Sequence, residues 1–350
     1  DTHTDTDTSS ECEGVEIGLG CIELRQSISL EDDLAPRDLE IGRFNGDDLL
    51  DLAIPGSPAH YLVGIGGGFG EPFEITGAIG TALAAVDWDE DNKLDLFLID
   101  DFHFELWLSN GEGNFTSGGP FMPGGYDLVV GDFDGDVDND VAVTGTALRI
   151  WRRNANMLAA PIELQHNSQR IVSANLDGDE FTDLLFTETA ADRFAVIQSD
   201  VNFTFMTITQ VLFPTPAAVA VANIDSEPGP EVIAVGGGDA GQLFLGKLKN
   251  EQNVESLNMY AVGGLPRAVA VGDIDADGRF DVAVANNTTH DVSVLMNVRG
   301  TLTDEVRIPA DDPNDLPESI LVADLDGDQR AEIIVGMLGT DRVLVYGEVP

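Results

Sequence analysis

Basic residues are scarce in this chain: 17 Lys and Arg stand against 63 Asp and Glu over 350 residues, a formal net charge of −46. That shortage excludes nucleic acid as a partner, because duplex and single strand alike need a basic surface to displace counterions. It disfavours an anionic membrane surface for the same reason. No apolar run approaches the ~18 residues of a membrane span, and the chain opens without a charged or apolar leader, so it reads as soluble. Helical periodicity is missing throughout. Catalytic signatures are missing too: there is no His-Glu-x-x-His, no Gly-x-Ser-x-Gly and no phosphate-binding loop, and His3, His60, His103, His166 and His290 are scattered. Only two cysteines occur, Cys12 and Cys21. Their closeness across a Gly-containing segment suits a local disulfide in an oxidising compartment, with two free thiols as the alternative. A metal site made from these two alone is excluded, since nothing nearby supplies further soft ligands.

What is present is a folded chain with an unusual charge. Apolar residues make up 43% of it, normal for a globular protein, so the carboxylates are carried by a packed body rather than an acidic tail. Residues 1–10, Thr-rich and acidic with nothing to pack, read as a flexible spacer, with any targeting signal or lipid tether lying upstream. Residues 11–21 read as a disulfide-closed segment, and 22–350 as the folded domain.

Seven acidic segments repeat along that domain. They begin at Arg43, Asp87, Asp132, Asn175, Asn223, Asp273 and Asp324, at separations of 44, 45, 43, 48, 50 and 51 residues. This is the length of one four-stranded propeller blade. An alternating run of small or β-branched residues precedes each segment and another follows it, as in Ala217–Ala222 or Asp281–Ala285, so each segment is the loop of a hairpin. The small residues of the first strand fit the crowded position nearest the axis. The fold class predicted is all-β, a seven-bladed propeller of four-stranded antiparallel blades. The seventh unit ends after its third strand, Arg342–Tyr346, while Cys21–Leu30 is a strand with no unit of its own. That N-terminal strand is predicted to complete the last blade, closing the ring and hiding an edge.

Alternate residues of a tight loop can aim several oxygens at one point, and Ca²⁺ takes 6 to 8 oxygen ligands. Side chains at positions 1, 3, 5 and 9 of the loops are carboxylate or amide, and position 7, whose side chain varies, can offer its backbone carbonyl. In loop two these are Asp87, Asp89, Asp91, Lys93 and Asp95, and in loop three Asp132, Asp134, Asp136, Asp138 and Asp140. Loop four has Asn175, Asp177, Asp179, Phe181 and Asp183. Loop six has Asp273, Asp275, Asp277, Arg279 and Asp281, and loop seven has Asp324, Asp326, Asp328, Arg330 and Glu332. An EF-hand would need flanking helices and a Glu at position 12, where loop three has Val143 inside a strand. Mg²⁺ resists this degree of dehydration.

The pattern D-x-D-G-D-x-x-x-D between two strands, in seven in-phase copies, resembles the FG-GAP or VCBS repeat family, which includes the propeller of integrin α subunits. The turn Asn110–Phe115 and the later Gly119–Pro120 are similar to that family's linking turns. The resemblance implies calcium in the loops and an extracellular role in adhesion or recognition. Lectins and, rarely, polysaccharide lyases are further possibilities within it. Five loops keep an oxygen side chain at every expected position, implying about five Ca²⁺ ions, which would bring −46 to −36. Loop one puts Arg43 at position 1, where its guanidinium is expected to fill the site as an internal cation. In loop five two prolines and Glu227 at position 5 alter the turn and leave its occupancy open.

Ions ligated wholly by protein leave no open position for a substrate, so the metals read as hairpin staples and the protein as no enzyme. A protein or glycan ligand is expected on the face opposite the calcium loops. Counting six residues back from each loop gives a ring of Arg37, Thr81, Tyr126, Gln169, Ala217, Arg267 and Glu318. Arg37 and Arg267 stand out where cations are rare, Tyr126 adds an aromatic platform, and His103 and His290 lie in the neighbouring loops. Few aromatics, out of phase, argue against seven equivalent sugar sites, and a lyase would need a basic cleft. The expectations are a monomer, placed in a secreted, periplasmic or cell-surface setting.

Overall fold

In a computed structural model the described residues are 14–17, 20–30, 34–154, 157–225, 227–249 and 253–348. Seven antiparallel sheets follow one another along the chain, and a two-stranded ribbon (Arg153–Asn154 with Met157–Leu158) leaves the third. In a typical blade, the fifth, the strands are Ala218–Ala222, Glu231–Gly236, Gln242–Lys249 and Asn253–Ala261, paired in chain order. Second strands are buried along their whole length because they are covered on both faces by neighbouring blades, which is why Asp281–Asn286 reads as a continuous small and β-branched run.

The apolar residues form seven clusters, one at each blade-to-blade interface. Closure is as predicted. Gly20–Ser29 pairs with Arg342–Glu348 of blade seven, and Ile28 of this strand joins Leu52 and Leu62 of blade one in a single cluster. Gln26 adds a polar clasp: its Nε2 donates to the Phe69 carbonyl at 2.6 Å and its Oε1 accepts from the Phe69 N–H at 2.9 Å. A side-chain amide thus stands in for a ladder rung between the first and last blades. One element was not anticipated. Val15–Ile17 folds back on Gly20–Ile22 and gives blade seven a fifth strand. Cys21 lies on the closing strand, whereas Cys12 and the spacer 1–10 lie outside the described residues, and with them the expected disulfide. Among the described residues no helix is long and apolar enough to cross a membrane.

Candidate metal centres and channel mouth

Each acidic loop joins the first strand of its blade to the second, and two of its nine residues anchor it. Position 2 is apolar (Phe44, Trp88, Phe133, Leu176, Ile224, Ile274, Leu325) and buried in the core between blades. Position 9 is a buried carboxylate. One of its oxygens accepts the N–H of position 2 in all seven loops, at 2.7–3.1 Å. Where position 9 is Asp, the other oxygen accepts an N–H from the end of the third strand or just past it at 2.7–3.2 Å, from Gly64, Ser109, Arg153, Ser199 or Asn297. The position-9 acid therefore pins three strands, a role that the ligand pattern alone did not suggest. Burial raises Asp51, Asp95 and Glu332, and it pushes Asp140 and Asp183 to about 7 and Asp281 to about 6.

Between the anchors the backbone winds round the carboxylates. The N–H of position 7 donates to the position-5 acid, as from Lys93 to Asp91 (3.0 Å), Asp138 to Asp136 (3.1 Å), Arg279 to Asp277 (2.9 Å) and Arg330 to Asp328 (2.8 Å). Where position 1 is Asp, it accepts from the N–H of position 6: Asn92, Val137, Gly278 and Gln329, at 2.8–2.9 Å. All four donors have left-handed φ, from 65° to 82°. These same four loops gather carboxylates: Asp87, Asp89 and Asp95; Asp132, Asp134 and Asp136; Asp273, Asp275 and Asp281; Asp324, Asp326 and Glu332. In each group the ligand atoms lie within 4.8 Å of one another, about the diameter of a Ca²⁺ coordination sphere.

Loop three gives the sharpest test of fit. Asp134 is buried, and neither of its oxygens accepts a hydrogen bond. Burial and the neighbouring Asp136 raise its pKa, while Arg152, with Nε 2.5 Å from Oδ2, opposes this. Arg152, which also reaches Asp136 at 3.0 Å, offsets one of the three charges gathered by Asp132, Asp134 and Asp136, and buried carboxylate charge beyond that is costly unless a further cation balances it. The hard, all-oxygen donor set suits Ca²⁺.

The other three loops depart from this plan. Loop four, expected to hold a fifth ion, is not among the gathered groups: Gln198 Nε2 donates to Asp177 Oδ2 at 2.5 Å, and the Asn175 amide donates to the Asp179 carbonyl. In loop one Arg43 does not fill the centre. Its exposed side chain caps the Asp48 carbonyl (Nε, 3.2 Å), and the Asn45 amide is the donor to Asp47 (3.1 Å). Loop five does hold an internal cation, supplied from elsewhere. Lys247 Nζ lies 3.0 Å from both Asp225 Oδ1 and Glu231 Oε1. Burial opposes the ammonium's charge, but the bonds to Glu231 and Asp225 outweigh it and raise its pKa. Loop seven also meets a cation, Arg25 of the closing strand, 3.1 Å from Asp326 and 2.5 Å from Glu332.

First-strand residues of all seven blades line an axial cavity of about 280 Å³. Arg37, Arg267 and Glu318 of the expected ring lie there, but Asp38, Glu40, Asp127 and Arg170 had been missed. The cause is register. The first strands of blades six and seven carry a bulge, between Pro266 and Ala268 and between Pro317 and Ser319. Blades three and four run without one. A uniform six-residue count therefore hits the channel in blades six and seven and misses by one residue in three and four, where Asp127 and Arg170 face the axis. Gln169 and Ala217 line an adjoining cavity with Arg267.

Asp38 and Asp127 tie blades together by accepting the N–H of Leu83 and of Ile171, each at 3.1 Å. Burial first, then the charges of Asp38 and Asp127, push Glu40 up to about 8. Burial likewise raises Asp127 to about 7, against the pull of Arg170. Arg267 is paired with Glu318, while Arg37 is exposed and forms no ion pair among the described residues. Tyr126 does not line the axial cavity but stands 44% exposed beside it. His103 and His290 are turned onto neighbours, Nδ1 of His103 to Asp100 Oδ1 (3.1 Å) and Nδ1 of His290 to the Asp315 carbonyl (2.7 Å).

Comparison with known proteins supports the same architecture. Residues 273–335, spanning loops six and seven, match the FG-GAP-like repeat. No curated protein sequence matches the chain. Among solved structures, BBS1N in complex with ARL6DN superimposes with a TM-score of 0.66 at 11% identity, covering 94% of this chain and 97% of that one. The β-propeller domain of Myceliophteria thermophila Cps50 (Swd1) gives 0.61 at 12%, covering 91% and 99%. The WD40 β-propeller domain of Doa1 gives 0.62 at 13%, covering 93% and 97%. At such identities the likeness is one of fold. The chain is a seven-bladed β-propeller carrying an FG-GAP-like repeat.

Proposed function

We propose that this protein is a calcium-stapled recognition propeller that works outside the cell or at its surface and carries out no catalysis itself. The observation that carries the calcium reading is the convergence of three carboxylates in each of four loops, with ligand atoms within 4.8 Å of one another, more negative charge than the single cation at loop three, Arg152, or at loop seven, Arg25, offsets. Ca²⁺ would tie positions 1, 3 and 9 or 1, 3 and 5 of loops two, three, six and seven, neutralising charge where it is densest. Extracellular millimolar Ca²⁺ would keep such sites filled, which favours a secreted, periplasmic or surface setting. The ligand, a protein or a glycan, would meet the channel mouth, where Arg37 is a free cation and Tyr126 an exposed aromatic.

Calorimetric titration of the chelated protein tests the metal. We expect about four ions and a higher melting temperature, since a ligand at 100 times its dissociation constant stabilises the native state by about 2.7 kcal/mol per site. A melting temperature indifferent to chelation refutes the reading. Screening the folded protein against glycan arrays and surface-protein extracts, with Arg37→Ala as control, tests the recognition face.

A further inference from the structure

Loop five balances its charge with a group from its own blade. Lys247 stands opposite Glu231 in the ladder between second and third strands. Its Nζ reaches Asp225 Oδ1 at 3.0 Å, Asp225 Oδ2 at 3.3 Å and Glu231 Oε1 at 3.0 Å. Asp225 and Glu231 are positions 3 and 9, two of the three positions that converge in loops two, six and seven. We propose that loop five is a divalent-cation site whose ion is replaced by the Lys247 ammonium, so that blade five is stapled without metal and loss of this amine opens a further ion site.

Three features of the loop fit the substitution. Glu231 is one methylene longer than the Asp of blade six. Its Oε2 still accepts the Ile224 N–H at 2.7 Å, while Oε1, sealed from solvent, meets the Lys247 ammonium at 3.0 Å. Pro228 at position 6 has no N–H to offer an acid at position 1. Position 1 is accordingly Asn223, whose Nδ2 donates to the Glu227 carbonyl at 3.0 Å. The carboxylates of Asp225 and Glu231 both meet the tethered ammonium, which offsets half of their charge. Loop seven shows the contrast: Arg25 reaches Asp326 and Glu332 there, but Asp324 remains at position 1 to complete a group of three.

This inference rests on the calcium reading of the other loops, and the test separates the two. Bound Ca²⁺ is counted by equilibrium dialysis and elemental analysis for the wild-type chain, Lys247→Met and Lys247→Ala. Glutamine is avoided, because at the matching position of blade four the Gln198 amide donates to Asp177 and would do the same to Asp225. We expect one additional ion per chain in both variants. Wild-type protein that binds ions, with folded variants that bind the same number, overturns this inference alone. If wild type and variants all bind none, both readings fall. Should the variants not fold, hydrogen exchange on the wild type decides. Chelation is expected to accelerate exchange at the Ile274 amide of loop six and leave the Ile224 amide of loop five unchanged, and equal acceleration at both refutes the replacement.

Discussion

Arg267 of blade six and Glu318 of blade seven form a two-pronged ion pair across the channel mouth, with Nη2 2.5 Å from Oε1 and Nε 3.0 Å from Oε2. A cation that looked free in a chain so poor in cations is thus spent on holding neighbouring blades. Glu318 is buried while the Arg267 side chain is 40% exposed, so solvent screens the pair and limits its worth to about 1 kcal/mol. Glu318→Gln and Arg267→Gln should each lower unfolding free energy by about that much, and the double variant by less than their sum. Denaturant titrations of the four proteins give the coupling directly, and strict additivity would show that the pair contributes nothing.

The two kinds of acid in one loop should differ in the metal-free protein. Asp281 accepts N–H bonds from Ile274 and Asn297, and an amide in its place must turn a donor toward one of them. Asp281→Asn is expected to cost about 2–3 kcal/mol already in the chelated protein, and more when Ca²⁺ is present, because Asp281 also belongs to the gathered group. Asp275 accepts one bond, from the Asp277 N–H at 3.2 Å, which an asparagine carbonyl can take over. Asp275→Asn should leave the chelated protein nearly unchanged and remove much of the stabilisation that Ca²⁺ confers. Melting curves of both variants, with and without chelator, make the comparison.

Val137 is a β-branched residue at φ 78°, held there because its N–H reaches Asp132 Oδ2 at 2.9 Å. Its side chain is 86% exposed and packs on little. Left-handed backbone costs such a residue about 1–2 kcal/mol, and glycine adopts it freely, as Gly278 does at the same position of loop six. Val137→Gly is therefore expected to raise stability by about 1 kcal/mol, less whatever the freer unfolded chain takes back. A lower melting temperature would count against strain at this position.

Glu40 has its pKa raised from 4.5 to about 8 by burial and by Asp38 and Asp127. A folded-state pKa above the unfolded one means that the native state holds the proton more tightly. The contribution is complete below about 4.5 and is lost as pH rises through about 8. Glu40→Gln should remove up to about 1.4 kcal/mol per pH unit of that slope within the window. Urea unfolding of both proteins from pH 5 to 8 reads the difference, and parallel curves would show that Glu40 does not titrate there.

Seven blades, seven acidic hairpin loops and closure by the N-terminal strand were all legible in the sequence. Each rests on local signals: a repeat length, period-two strands, and acids at alternate positions of a nine-residue loop. The four loops that gather carboxylates are those with Asp at position 1, and this too is a local cause, because that residue adds a carboxylate to the loop and accepts the position-6 N–H. What tertiary structure alone decided is how each loop's charge is balanced and what faces the axis. Lys247 and Gln198 come from third strands, Arg152 follows one directly, and Arg25 reaches Glu332 from 307 residues away, so no reading of a single loop could find them. The bulges of blades six and seven shift the register by one residue, and a one-residue shift decides whether a charged side chain enters the channel or leaves it.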